Sequence, residues 1–173
     1  MNFLKMPHNH MKKLFFFIAL IITVKCACAQ TTFIPPATIP PYHILTTDSV
    51  YVTPANLKKN KPVMIVYFSP DCSHCQHMMY EMKPIMKAFK DVQVVMITFV
   101  MQLKAIKVFE RDYDLAKYPN FTVGTEGYTY VVQKYYQVAT TPYIALYDKS
   151  HKLVKYYPKA PKTEDLAEEV KKL

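Results

Sequence analysis

A chain of 173 residues holds one ordinary domain with little to spare, and 51% hydrophobic with 20% charged residues are the proportions of a folded globular protein, not of a disordered tail or a multispanning membrane protein. Two glycines, Gly124 and Gly127, stand where average usage of about 7% would give about a dozen, so neither a Walker-type phosphate loop nor a dinucleotide fingerprint can be built. The formal charge of +9 comes from dispersed lysines and a single arginine, Arg111, which reads as a solvated surface and argues against a nucleic-acid partner.

The first stretch reads as an address. Lys12 and Lys13 precede an apolar run from Leu14 to Val24, and Ala27-Cys28-Ala29 forms a small-residue cleavage site before Gln30. Residues 1–29 are therefore expected to be a signal peptide, exporting the protein to a bacterial periplasm or cell envelope. A spanning helix needs about 20 apolar residues, so this run leaves no stable membrane anchor after cleavage. Removing the four lysines of the leader takes the charge from +9 to +5. It also removes Cys26 and Cys28, leaving Cys72 and Cys75 to pair with each other or transiently with another molecule.

Pro35, Pro36, Pro40 and Pro41 favour an extended arm over residues 30–42, a linker between leader and domain. Short strands are expected in Tyr42 to Val52, around Asp48 and Ser49, and Thr53-Pro54 opens a brief helical turn. Val63 to Phe68 is continuously apolar between Pro62 and Pro70, the pattern of a strand covered on both faces. A helix is predicted from Cys72 to about Lys90, kinked at Pro84, with Met78, Met82, Ile85, Met86 and Phe89 on one side. A second buried strand, Val92 to Val100, precedes an amphipathic helix over Gln102 to Leu115. A loop through Tyr118-Pro119-Asn120 and Gly124 follows, then a short helix near Tyr128 to Tyr136. The third strong strand, Tyr143 to Tyr147, turns at Asp148-Lys149-Ser150 into Leu153 to Tyr157. The last helix starts at Thr163 with acids in its first turn. Alternating strands and helices give an α/β fold with a central mixed sheet and helices on both faces, in one domain over residues 43–173.

Cys72-Ser73-His74-Cys75 follows a buried strand and opens a helix, the context in which an isolated C-x-x-C points to redox work. A thiol at a helix N-terminus feels roughly half a positive charge from the aligned peptide dipoles, which stabilises its thiolate. Cys72, nearer the end, is expected to attack. Cys75, one turn further in, is expected to resolve the mixed disulfide. An inert disulfide, a half zinc site and two buried thiols are the competing readings. Zinc needs four ligands and no second cysteine pair exists, so no metal is assigned. A disulfide closing so small a loop would stabilise little.

These features in order resemble the thioredoxin-like superfamily, specifically its exported thiol-disulfide members of the TlpA and ResA type. The order is the strand Val63 to Phe68, Cys72-Ser73-His74-Cys75, a long insertion after the second strand, then Thr141-Pro142 leading into Tyr143 to Tyr147, a hairpin and a terminal helix. The resemblance covers Tyr42 to the C-terminus. It implies a thioredoxin-like fold and a cis Pro142 facing the cysteines, with substrate met by Thr141 and its backbone beside Pro142; Tyr143, Tyr67 and Phe121 are candidate substrate walls for which core packing is the stronger reading. It implies no cofactor beyond the cysteine pair. The partners it implies are protein thiols and disulfides and an electron donor or acceptor of a membrane thiol-redox system. Two departures stand out: Asp71 occupies the place of a common tryptophan, and Val66 that of the buried aspartate of thioredoxin, so the proton acceptor for Cys75 is unassigned. His74 between the cysteines is similar to oxidases of the DsbA type and is expected to favour the Cys72 thiolate. Met78, Met79 and Met82 with His74 and His77 offer a copper-handling alternative, and a noncatalytic binding module is the other.

Overall fold

Strand β3 (Val63–Tyr67) is buried at every position and lies in the interior of the sheet. Because successive side chains of a strand point to opposite faces, Met64 and Val66 enter one core while Val63, Ile65 and Tyr67 enter the other. That division explains the unbroken apolar run: neither face of this strand meets water. Around it stand β1 (Ile44–Thr46), β2 (Tyr51–Val52), β4 (Gln93–Thr98), β5 (Phe121–Thr125), β6 (Tyr143–Tyr147) and β7 (Leu153–Tyr157), in the order β2-β1-β5-β4-β3-β6-β7. Strands β3, β4 and β5 are mutually parallel, and the remaining pairings are antiparallel. The computed structural model describes residues 33–173, of which Pro35–Leu173 form one compact unit. The predicted leader and residues 30–32 of the arm lie outside the described residues.

On the first face lie α1 (Ser73–Met82), α2 (Leu103–Asp112) and α4 (Thr163–Val170), which bury Met78, Met82, Ile106, Phe109, Leu166 and Val170. The second face is covered by α3 (Val131–Tyr136), through Val132 and Tyr136, and by the proline-rich arm. The mixed sheet with helices on both faces is thus present as expected. The arm is more than a linker. The Ala37 carbonyl accepts the Leu153 N–H at 2.8 Å, and the Thr38 carbonyl accepts the hydroxyls of Tyr135 at 2.6 Å and Tyr147 at 3.2 Å.

Three expectations are corrected. The helix predicted to run from Cys72 to Lys90 ends as α-helix at Met82 and continues as a 3₁₀ run, Lys83–Phe89. Pro84 has no N–H to give the carbonyl four residues back and crowds it, so the chain tightens instead of merely bending. The second helix stops at Asp112 because Asp114 turns left-handed, φ 57°, before a 3₁₀ turn at Leu115–Lys117. The segment expected to be a loop through Gly124 is strand β5, hydrogen-bonded between β1 and β4.

Candidate active site

The thiol site forms where β3 ends. Cys72 caps α1 from outside, its backbone extended at φ −80° and ψ 115°, and its sulfur accepts the Cys75 N–H at 3.3 Å. From the neighbouring strand connection, the Thr141 carbonyl oxygen accepts the Cys72 thiol at 3.3 Å, and the Thr141-Pro142 peptide is cis with Pro142 buried. The motif and the proline loop, 69 residues apart, therefore meet at one sulfur.

The two thiols sit in different surroundings. Cys72 is partly exposed and Cys75 is fully buried. Burial by itself would push the Cys72 thiol up, but hydrogen bonds from Cys75 and Thr141 and the backbone N–H groups of Cys75 and His74 outweigh it, and the thiol lies below its ordinary value. Burial pushes the Cys75 thiol up to about 12, reinforced by the hydrogen bond and charge of Cys72 and opposed by Ser69 and Thr141. Each effect follows the rule that desolvation disfavours a thiolate whereas hydrogen bonds to it favour it.

His74 is exposed, and its backbone N–H is among the groups that lower the Cys72 thiol. Tyr143 does not reach the sulfurs. It opens β6 pointing to the second face, 3% exposed, with its ring stacked on Tyr136 at 4.8 Å and Tyr156 at 6.1 Å. Its neighbour Ile144 takes the first face, where Cys72 packs, so alternation along the strand turns the Tyr143 ring to the opposite face from Cys72. Tyr67 is likewise core, its hydroxyl bonded to Glu126, and Phe121 starts β5 opposite Val94, at the far end of the sheet from the motif. Met78, Met79 and Met82 fill the first core while His74 and His77 face outward, so the thioethers and imidazoles of the copper alternative do not converge. No cluster of three or more His, Cys, Asp or Glu side chains able to hold a metal occurs among the described residues. Val66 is packed in the core, which leaves no carboxylate at the thioredoxin aspartate position. Glu126, which sequence reasoning passed over, is buried near this end of the sheet. The available signal was its isolation, the one charged residue between Lys117 and Lys134.

A strand, a C-x-x-C at the following helix start and a cis-proline loop against it define a thioredoxin-like fold with a dithiol site. The chain matches the Thioredoxin-like domain family over residues 55–173 and belongs to that family. No curated protein matches it. Among solved structures it is similar to a secreted disulfide oxidoreductase of Mycobacterium tuberculosis homologous to E. coli DsbE, at 20% identity, covering 77% of this chain and 96% of that one with a TM-score of 0.65. It is similar to the exposed lipoprotein thioredoxin of Streptococcus pneumoniae at 21% identity, covering 76% and 98%, TM-score 0.57. It is also similar to a thiol-disulfide oxidoreductase from Bacteroides fragilis at 13% identity, covering 78% and 99%, TM-score 0.62. At these identities the likeness is one of fold. No helix among the described residues is long and apolar enough to cross a membrane.

Proposed function

We propose that this chain is an exported thiol-disulfide oxidoreductase that exchanges disulfides with partner proteins through Cys72 and Cys75. The observation that carries the reading is the asymmetry of the pair: one accessible thiol held low, one buried thiol held high. In the reducing direction the Cys72 thiolate attacks a partner disulfide, forming a mixed disulfide and expelling one partner thiolate. Cys75 then gives up its proton and attacks Cys72 Sγ, which releases the second partner thiolate and leaves the Cys72–Cys75 disulfide. Two electrons pass to the partner, and the reverse sequence oxidises it. Pro142 and the Thr141 carbonyl are the proposed docking edge for the partner strand, and His74 the proposed modulator of Cys72. A groove of about 610 Å³ beside the motif, lined by Pro70, Asp71, Gln76, Ala105, Val108 and Tyr113, leaves room for the chain flanking the target cysteine.

The leader and the secreted or surface-exposed character of two structural neighbours support export. The chain between β4 and β6, with α2 and β5 in it, is the proposed counterpart of the insertion in TlpA- and ResA-type proteins, and on that reading the partner is an apocytochrome or similar protein and the electron donor belongs to a membrane thiol-redox system. The test is mechanism-based trapping. Cys75→Ser is expected to accumulate mixed disulfides on nonreducing gels and Cys72→Ser is not, because a thiolate without its resolving partner stays bound. Equal trapping by both, or by neither, overturns the assignment.

A further inference from the structure

Glu126 is the one buried carboxylate among the described residues, 4% exposed, and the exchange steps above make no use of it. It follows the last residue of β5. Since β3, β4 and β5 are parallel, that end lies on the side of the sheet where β3 delivers the motif. One carboxylate oxygen accepts the Tyr67 hydroxyl at 2.8 Å and the Gln133 N–H at 3.4 Å, and the other accepts the Val132 N–H at 2.8 Å. The Glu126 carbonyl accepts the Thr129 hydroxyl at 2.9 Å, which closes the turn between them.

Two legs lead from this carboxylate to the same sulfur. Tyr67 ends β3, five residues before Cys72, and is the direct cross-strand partner of Tyr143, the residue after Pro142. Val132 and Gln133 form the first turn of α3, and the Gln133 carbonyl accepts the Val138 N–H at 2.9 Å as the chain leaves the helix for Thr141. Thr140 is tied on its other side by its hydroxyl to the Pro158 carbonyl at 3.3 Å. With six residues, α3 is too short to hold its place by its own hydrogen bonds, so its position is set by such tertiary ties. A buried charge is costly unless it is fully hydrogen-bonded, and here the compensating bonds go to β3, which leads into the motif, and to α3, which leads toward the Thr141-Pro142 loop.

We propose that Glu126 is a positioning residue for the thiol site, holding the Thr141-Pro142 loop against Cys72 by fixing both β3 and α3 to one buried carboxylate. The proposal rests on the thiol-exchange reading. Loosening either leg moves Thr141 off the Cys72 sulfur and with it the Thr141 side-chain hydrogen bond that lowers the Cys72 thiol.

The test uses the full mature chain in a Cys75→Ser background, so that thiolate absorbance against pH and the rate of reaction with glutathione disulfide report Cys72 alone. Glu126→Gln keeps the shape, and Tyr67→Phe removes one of the three bonds; both are expected to fold, so the harsher Glu126→Ala is not required. The thiolate midpoint is expected to move up in both variants, with the rate at neutral pH falling about tenfold for each unit of that movement. Folded Gln and Phe variants that titrate and react like their parent, even with a lower melting temperature, overturn the proposal and leave Glu126 a stability residue. A parent protein whose Cys72 shows no depressed titration and no reaction overturns the exchange reading and this proposal together.

Discussion

Cys72 and Cys75 differ by one turn of helix, and that turn separates a sulfur that accepts amide N–H groups from one sealed in the core. The contrast between an accessible Cys72 and a buried Cys75 was legible in the sequence because a helix N-terminus is polar by construction and its inward positions are not. The contribution of Thr141 was legible only through the family resemblance, since no local pattern brings residue 141 to residue 72. His74 separates two sources of influence. Its ring is exposed and therefore screened, whereas its backbone amide acts on the sulfur whatever side chain it carries. His74→Ala is thus expected to lower the reduction potential by about 30 mV or less. Thr141→Val keeps the carbonyl that accepts the Cys72 thiol and the β-branched shape but deletes the side-chain hydrogen bond that lowers the Cys72 thiol, and is expected to raise the Cys72 titration midpoint more than His74→Ala does. Glutathione-buffer equilibration and thiolate absorbance measure the two quantities. A larger effect from His74→Ala would reverse the ranking and restore the imidazole as the main control of Cys72.

At the scale of elements, hydrophobic patterning found β3, β4 and β6 because each is buried on both faces around an unbroken apolar run, residues 63–67, 94–97 and 143–147. Strand β5 escaped because Phe121-Thr122-Val123-Gly124-Thr125 carries a glycine and two threonines, yet the glycine is there for the sheet. A Cβ at Gly124 would stand 2.9 Å from the Leu45 carbonyl oxygen and 3.1 Å from Ile44 Cδ1, so β1 approaches β5 closely only across a bare backbone. Because the obstacle is a ladder carbonyl and not a flexible side-chain end, Gly124→Ala is expected to force the β1–β5 pairing apart and cost about 1–3 kcal/mol. Urea unfolding would show the lowered midpoint, and an unchanged midpoint would mean that β1 is free to shift. The arm has a similar lesson. Its prolines marked it as extended, but its attachment through Thr38 depends on Tyr135 and Tyr147, about a hundred residues away, which no local reading connects.

Across the whole molecule, stability should depend on pH differently in the two redox forms. In the reduced protein Cys75 is pushed up to about 12 from an ordinary 9.0, so the native chain holds that proton more tightly than the unfolded one. A raised thiol contributes stability that is complete below about 9 and is lost as pH climbs from there through 12. Cys72 acts with the opposite sign: its lowered thiol adds stability as pH rises through its folded value toward 9. The larger displacement is that of Cys75, so the net effect above pH 9 is loss. The buried tyrosines Tyr42, Tyr67, Tyr136, Tyr143 and Tyr147 are also raised, chiefly by burial, and lose stability in the alkaline range as well. They are common to both forms, however, whereas the Cys72–Cys75 disulfide has no thiol to ionise. The difference in melting temperature between oxidised and reduced protein is therefore expected to widen in favour of the oxidised form between about pH 9 and 11, with the tyrosines cancelling. Paired thermal scans across that range measure it. A difference that stays constant with pH would show that Cys75 ionises as easily in the folded chain as in the unfolded one, and would remove the buried-thiol half of the asymmetry on which the exchange reading stands.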